Sequence, residues 1–120
     1  VHLGKKQNTA LGIKEYLKAV KNKSSLVKTI TKITEDIRTV STLSDFDALL
    51  IKHEDAIATH TGFAKVKDTL FSDYWGVVKS LGAWGGDFVL ATSDKGLDAT
   101  KEYFASKGLS TVVSYKEMVL

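Results

Sequence analysis

The sequence predicts an α+β protein, and three observations carry that expectation. Apolar residues recur at helical spacing through residues 10–60. Two short β-rich runs, 77–81 and 88–92, then flank a glycine-rich link. A further helical stretch and a last β-rich run close the chain. At 120 residues this is one domain, large enough to bury a core without disulfide or metal staples.

Taken in order, residues 1–6 read as a short strand that turns over Gly4–Asn8. Thr9 is suited to cap a helix over residues 10–21, with Leu11, Ile13, Leu17 and Val20 as its apolar stripe. Asn22–Ser25 breaks that helix, and Leu26, Ile30, Ile33, Ile37 and Val40 set the period of a second. Ser44 followed by Asp47 resembles a capping box for a third helix, over 46–60, ending near Gly62. Residues 63–75 have no clear period; Val66, Leu70 and Phe71 suggest a short helix or turn. Strands are expected at Val77–Leu81 and Phe88–Thr92. Ser93 or Asp94 is placed to cap a helix with Leu97, Tyr103 and Phe104 inward, closed by Gly108. Thr111–Tyr115 reads as the final strand. The resulting order is a ferredoxin-like split β-α-β layout: a four-stranded antiparallel sheet with extra helices in the first crossover.

Composition excludes several function classes. There is no cysteine, which removes disulfides and thiolate metal sites. His2, His53 and His60 lack metal-ligand spacing. No apolar run reaches a membrane-spanning length, and no signal-peptide layout is present, so a cytoplasmic protein is expected. The chain begins at Val1 and enters a strand at once, from which a piece of a longer protein is expected. Residues 1–38 hold nine Lys or Arg against three acids, but these are spread along helices without interleaved aromatics. That pattern fits a solvated helix face better than a nucleic-acid surface.

The stretch KSLGAWGGDFVLATS, residues 79–93, is the most informative. Three glycines in five positions between two strands admit two readings. One is a tight hairpin whose residues need positive φ, which spacing alone favours. The other is a concave nest of backbone amides that an anion can approach. It is not a P-loop, which requires a lysine after the last glycine and a helix behind it.

The run Lys79-Ser80-Leu81-Gly82-Ala83-Trp84-Gly85-Gly86-Asp87-Phe88 resembles the third motif of the kinase superfamily of galactokinase, homoserine kinase, mevalonate kinase and phosphomevalonate kinase (the GHMP kinases). In the phosphomevalonate kinase branch that motif reads lysine, proline, serine, then Gly-Ala-Gly-Gly-Gly-Asp. Trp84 stands here in place of the second glycine, and Ser80-Leu81 in place of Pro-Ser. The resemblance extends over the whole chain as the family's C-terminal domain, of ferredoxin-like type with inserted helices. The segment Gly4 to Thr9 resembles its strand–turn entry, and His53 or Glu54 falls where an inward polar residue faces the substrate.

From the resemblance follow the expected roles. Gly82, Ala83, Trp84, Gly85, Gly86 and Asp87 would support the nucleotide, and Lys79, Ser80, His53, Lys5 and Thr9 would meet the substrate. ATP and Mg2+ would act in the full-length parent, whose N-terminal domain supplies the phosphate loop, the catalytic aspartate or lysine and the magnesium ligands. No stretch of residues 1–120 resembles that loop. Neither catalytic residues nor metal ligands are therefore expected in this chain, and it should be inactive alone. Expected partners are a small hydroxy acid or its phosphate and the parent's own N-terminal domain, with no nucleic acid and no membrane. A homodimer is compatible with an exposed cleft-facing surface. Read without the resemblance, individual residues have plainer roles: Lys79 and the Lys5–Gln7 turn solvated, His53 a core histidine, Asp87 ordering its own loop. The competing functional reading is a non-catalytic ferredoxin-like module that binds a small ligand or nucleic acid, and a third is a purely structural or interaction domain.

Overall fold

The computed structural model describes residues 1–6, 8–20, 22–82, 84 and 86–119. Among these residues six helices and two strands follow in the order α1 (Thr9–Ala19), α2 (Lys23–Ile37), α3 (Leu43–Thr61), α4 (Val66–Leu70), β1 (Val78–Ser80), β2 (Val89–Ala91), α5 (Leu97–Ser106) and α6 (Tyr115–Met118). The fold is α+β, as the sequence predicts, but its sheet has two strands among the described residues rather than four. No helix among them is long and apolar enough to cross a membrane.

Caps set the helix ends, and most lie earlier than the apolar period suggests. Asn8, rather than Thr9, caps α1 by accepting from the Leu11 amide at 3.1 Å. Asn22, read as part of a break, is itself the cap of α2 and accepts from Ser25. Thr42 caps α3 through the Asp45 amide, two residues ahead of the expected Ser44. Gly62, at φ +75°, ends α3 in the left-handed conformation that a side chain resists. The cap of α5 is Gly96, with no side-chain cap bond, rather than Ser93 or Asp94.

β1 and β2 pair antiparallel, with Val78 opposite Ala91 and Ser80 opposite Val89. The two expected outer strands are replaced by shorter contacts. Val1 and Val89 exchange both backbone bonds at 2.8 Å, and Leu3 donates to the Asp87 carbonyl at 2.7 Å. On its other side His2 donates to Thr111 at 3.0 Å. Gly4, at φ +75°, turns the chain away after three residues. The expected strand 111–115 is cut short because Ser114 and Glu117 form a reciprocal capping box, which starts α6 at Tyr115.

The core lies against the sheet. Val66, Phe71, Tyr74, Val78, Val89 and Phe104 form one buried cluster, with Phe71 and Phe104 ring centroids 5.3 Å apart, edge to face. Tyr74 donates to the Thr92 carbonyl at 2.7 Å, and the Thr92 hydroxyl accepts from the Val77 amide. Lys67 runs beneath this segment and donates to the Tyr74 and Gly76 carbonyls, groups that no strand pairs. Gly76 is required by close approach, because a Cβ there would stand 2.1 Å from the Thr92 oxygen. Leu97, expected inward, is 42% exposed.

Candidate functional site

A cleft of about 540 Å³ opens between α1, α3, the end of β1 and the glycine-rich loop. Each wall has a local cause. Thr9, Gly12, Ile13 and Tyr16 recur at i, i+3, i+4 and i+7, so one stripe of α1 faces the cleft. Of the stripe read from apolarity, Ile13 lines the cleft and Val20 is buried, whereas Leu11 and Leu17 lie off the cleft face, about half exposed. From α3, His53, Ile57 and Thr61 follow at four-residue intervals. The loop is reached through Gly82, at φ +65° and exposed, and left through Asp87, at φ +51°.

Lys79 in the cleft wall belongs to a charged pair whose acid, Glu54, lies outside the cleft lining. Glu54, only 3% exposed, accepts from Lys79 Nζ at 3.4 Å through Oε1 and from the Ser80 amide at 3.3 Å through Oε2. Lys79 Nζ also donates to the Ser80 carbonyl at 3.0 Å. In the register with β2, Ser80 turns its backbone groups to the free edge of β1. One carboxylate and one ammonium therefore occupy the places a neighbouring strand would fill, which blocks edge pairing. Burial raises the Glu54 pKa above the usual glutamate value, and Lys79 and the Ser80 amide oppose that shift. His53 is shifted the other way: burial, then the positive charge of Lys79, holds its pKa below the ordinary histidine value. Its Nδ1 is buried without a partner among the described residues. A neutral imidazole carrying its proton on Nε2 suits that nitrogen.

Of the residues singled out from the sequence, Thr9, His53, Lys79, Ser80, Gly82, Trp84 and Asp87 all line this cleft. Gly86 is buried and does not line it. Lys5 is exposed and stands outside; its carbonyl accepts from the Asp87 amide at 2.9 Å, which ties the loop to the N-terminal segment. Ala83 and Gly85, like Gln7, lie outside the described residues. Trp84 is anchored: its indole N–H donates to the Ala64 carbonyl at 2.8 Å. The residues that sequence reasoning missed include Gly12, Glu15, Tyr16, Thr61 and Phe63. The signal for Tyr16 was its spacing from Gly12 and Thr9; Phe63 sits in a stretch with no period to read. No group of three or more His, Asp or Glu converges as a metal site among the described residues.

The arrangement offers one concave surface with hydroxyls, an imidazole, Gly82 and the Trp84 ring, walled by apolar side chains. That is the make-up of a small-molecule site. Comparison with protein-family models, with curated protein sequences and with solved structures finds no match.

Proposed function

We propose that this chain is the cleft-closing C-terminal half of an ATP-dependent small-molecule kinase of the mevalonate or phosphomevalonate type, inactive by itself. The observation that carries the reading is the cleft: residues from α1, α3, β1 and the glycine-rich loop, chosen from sequence for this role, line one concavity. The backbone bonds give a spatial order of Thr111, residues 1–3, β2 and β1, which supports a four-stranded ferredoxin-like ancestry for the sheet. ATP would approach the open side of Gly82, where a methyl group added to the Cα would meet no atom within 4 Å. Magnesium ligands would come from the partner domain, since this chain offers no converging set among its described residues. The chain's own part is to position the acceptor and keep water out while charge develops on the transferring phosphoryl group.

A non-catalytic ligand-binding module is the second reading. It is favoured by Lys79 and Trp84, whose donors already serve Glu54 and Ala64. Titration of the isotopically labelled chain with MgATP and mevalonate, followed by amide NMR, separates the two. The kinase reading expects weak, millimolar shifts at Gly82, Asp87, Lys79 and Ser80 and no phosphoryl transfer by the chain alone. Turnover by the chain alone, or nucleotide-independent shifts from small ligands only, overturns it.

A further inference from the structure

The lysines that make residues 1–38 basic take no part in the cleft, and two of them meet on another face of the molecule. Among the described helices and strands α2 packs on α3 alone, and most of its residues are exposed. Along the seam of this pair runs a shallow groove of about 630 Å³ that shares no lining residue with the cleft. Its floor is apolar: Ile33 and Leu49 are buried, and Ala56 is half-buried. Helical spacing sets the walls, with Lys28 and Lys32 one turn apart on α2 and Lys52 one turn before Ala56 on α3.

Charge defines the occupant. The two acids of the groove are already held, Asp36 by Lys32 at 2.7 Å and Asp55 by Lys65, from outside the groove, at 2.7 Å. Lys28 and Lys52 have no ion-pair partner among the described residues. One uncommitted ammonium therefore stands on each wall of an apolar floor, and a surface that is apolar along its centre and acidic at its flanks complements it. Nucleic acid fits less well, because no Phe, Tyr or Trp lines the groove for base stacking and Asp36 and Asp55 would face the phosphates. We propose that the α2–α3 groove seats an acidic amphipathic helix of a partner protein, its apolar stripe on Ile33, Leu49 and Ala56 and its carboxylates at Lys28 and Lys52. A helix laid along a helix pair repeats the packing that already joins α2 to α3, with anchors at i, i+3 and i+4. The proposal does not depend on the kinase reading, since groove and cleft have no lining residue in common.

The probe is a fluorescein-labelled synthetic peptide of about 18 residues, with leucines at i, i+3, i+4 and i+7 and glutamates between them. A saturable rise in anisotropy with one peptide per chain, weakening as salt is raised, is expected. Lys28→Glu and Lys52→Glu, both at exposed positions, should each weaken binding by about fivefold or more, since each sets a like charge against the peptide. Lys101→Glu, on the exposed face of α5, should leave it unchanged. Amide NMR on the unaltered chain should place the peptide's shifts at Ile33, Leu49 and Ala56. Equal binding by all three variants, shifts elsewhere, or equal binding of a peptide with lysine in place of glutamate overturns the proposal. Equal binding of a scrambled peptide of the same composition overturns the helix as occupant. A single-stranded oligonucleotide that displaces the peptide, and whose own binding Lys28→Glu abolishes, assigns the groove to nucleic acid instead.

Discussion

The stretch from α4 to α5 and the pair α1–α2 place their apolar residues in opposite ways. Between Val66 and Phe104, aromatic rings touch in sequence: Phe71 on Phe104, Phe104 on Tyr74, Tyr74 on Trp75 and on Tyr103, all with centroids within about 5.5 Å. Hydroxyl and indole groups at the edge of this cluster find partners, Tyr74 on Thr92, Trp75 on Ser93 and Tyr103 on Asp73. In α1 no residue is buried, and α2 buries only Leu26 and Ile33. The candidate cleft lies along the seam, with β1 and the loop on the packed side and α1 on the loose one. The contrast teaches that one wall of the site is fixed by the core while the other is held mainly by its caps and by α3. Low local burial is where sub-global opening begins.

The largest effect is expected where the aromatic cluster is emptied. Phe104 is 0% exposed, and Phe104→Ala should cost about 3–5 kcal/mol, through lost transfer energy and an unfilled cavity. Against a total of about 5–15 kcal/mol, that leaves little native protein in mild urea. Equilibrium unfolding by circular dichroism measures it. A loss below about 1 kcal/mol would remove the asymmetry between the two regions.

Next comes the seam. Glu54→Ala would leave the Ser80 amide without an acceptor and Lys79 without its counter-charge, though still donating to the Ser80 carbonyl, at a cost of about 2 kcal/mol. Glu54→Gln retains an acceptor for Ser80 and should cost less. Urea midpoints of the two variants check the order; Gln costing as much as Ala would mean that charge, not the edge cap, is what Glu54 supplies.

How much of this was legible in the sequence differs by region for a physical reason. β1, β2 and the end of α3 at Gly62 were readable because β-rich runs and a left-handed glycine are local signals. Phe71–Trp75, the centre of the core, was not, since packed aromatics between elements have no period. Three helix starts were misplaced by the same mechanism: Asn8, Asn22 and Thr42 cap from outside the apolar stripe. The outer strands were over-read because extended propensity at residues 1–6 and 111–115 competes with a glycine turn at one end and a capping box at the other. Seven of the cleft residues were nameable from the loop motif and its resemblance. The part Glu54 plays beneath them, as a buried partner of Lys79 and Ser80, required the fold to bring α3 to the edge of β1.

Acidity should act on the seam through His53. Its folded pKa is depressed, so the unfolded chain takes up the proton first as pH falls. Stability is therefore complete above the ordinary histidine value of about 6.5 and is lost as pH drops from there through the folded value. Glu54, with its pKa raised, contributes the opposite slope, losing stability as pH rises from the ordinary glutamate range. Comparing the unaltered chain with His53→Gln cancels the Glu54 contribution. The unaltered chain should lose more stability than the variant between neutral pH and about pH 5. Parallel pH profiles would mean that His53 is solvated and that the cleft base is open to water.

The smallest effect is expected on the outer face of α1. Leu17 is 53% exposed, and Leu17→Ala removes side-chain atoms that already meet water while keeping a strong helix former. The change in unfolding free energy should stay within about 0.5 kcal/mol. Leu17 lies off the Thr9–Gly12–Ile13–Tyr16 stripe, so the cleft wall should also survive. A loss near that of a core leucine, about 2–5 kcal/mol, would mean that α1 is seated on a surface through Leu17. In that case the loose wall of the cleft would be a packed one, and the seam would lie elsewhere in the molecule.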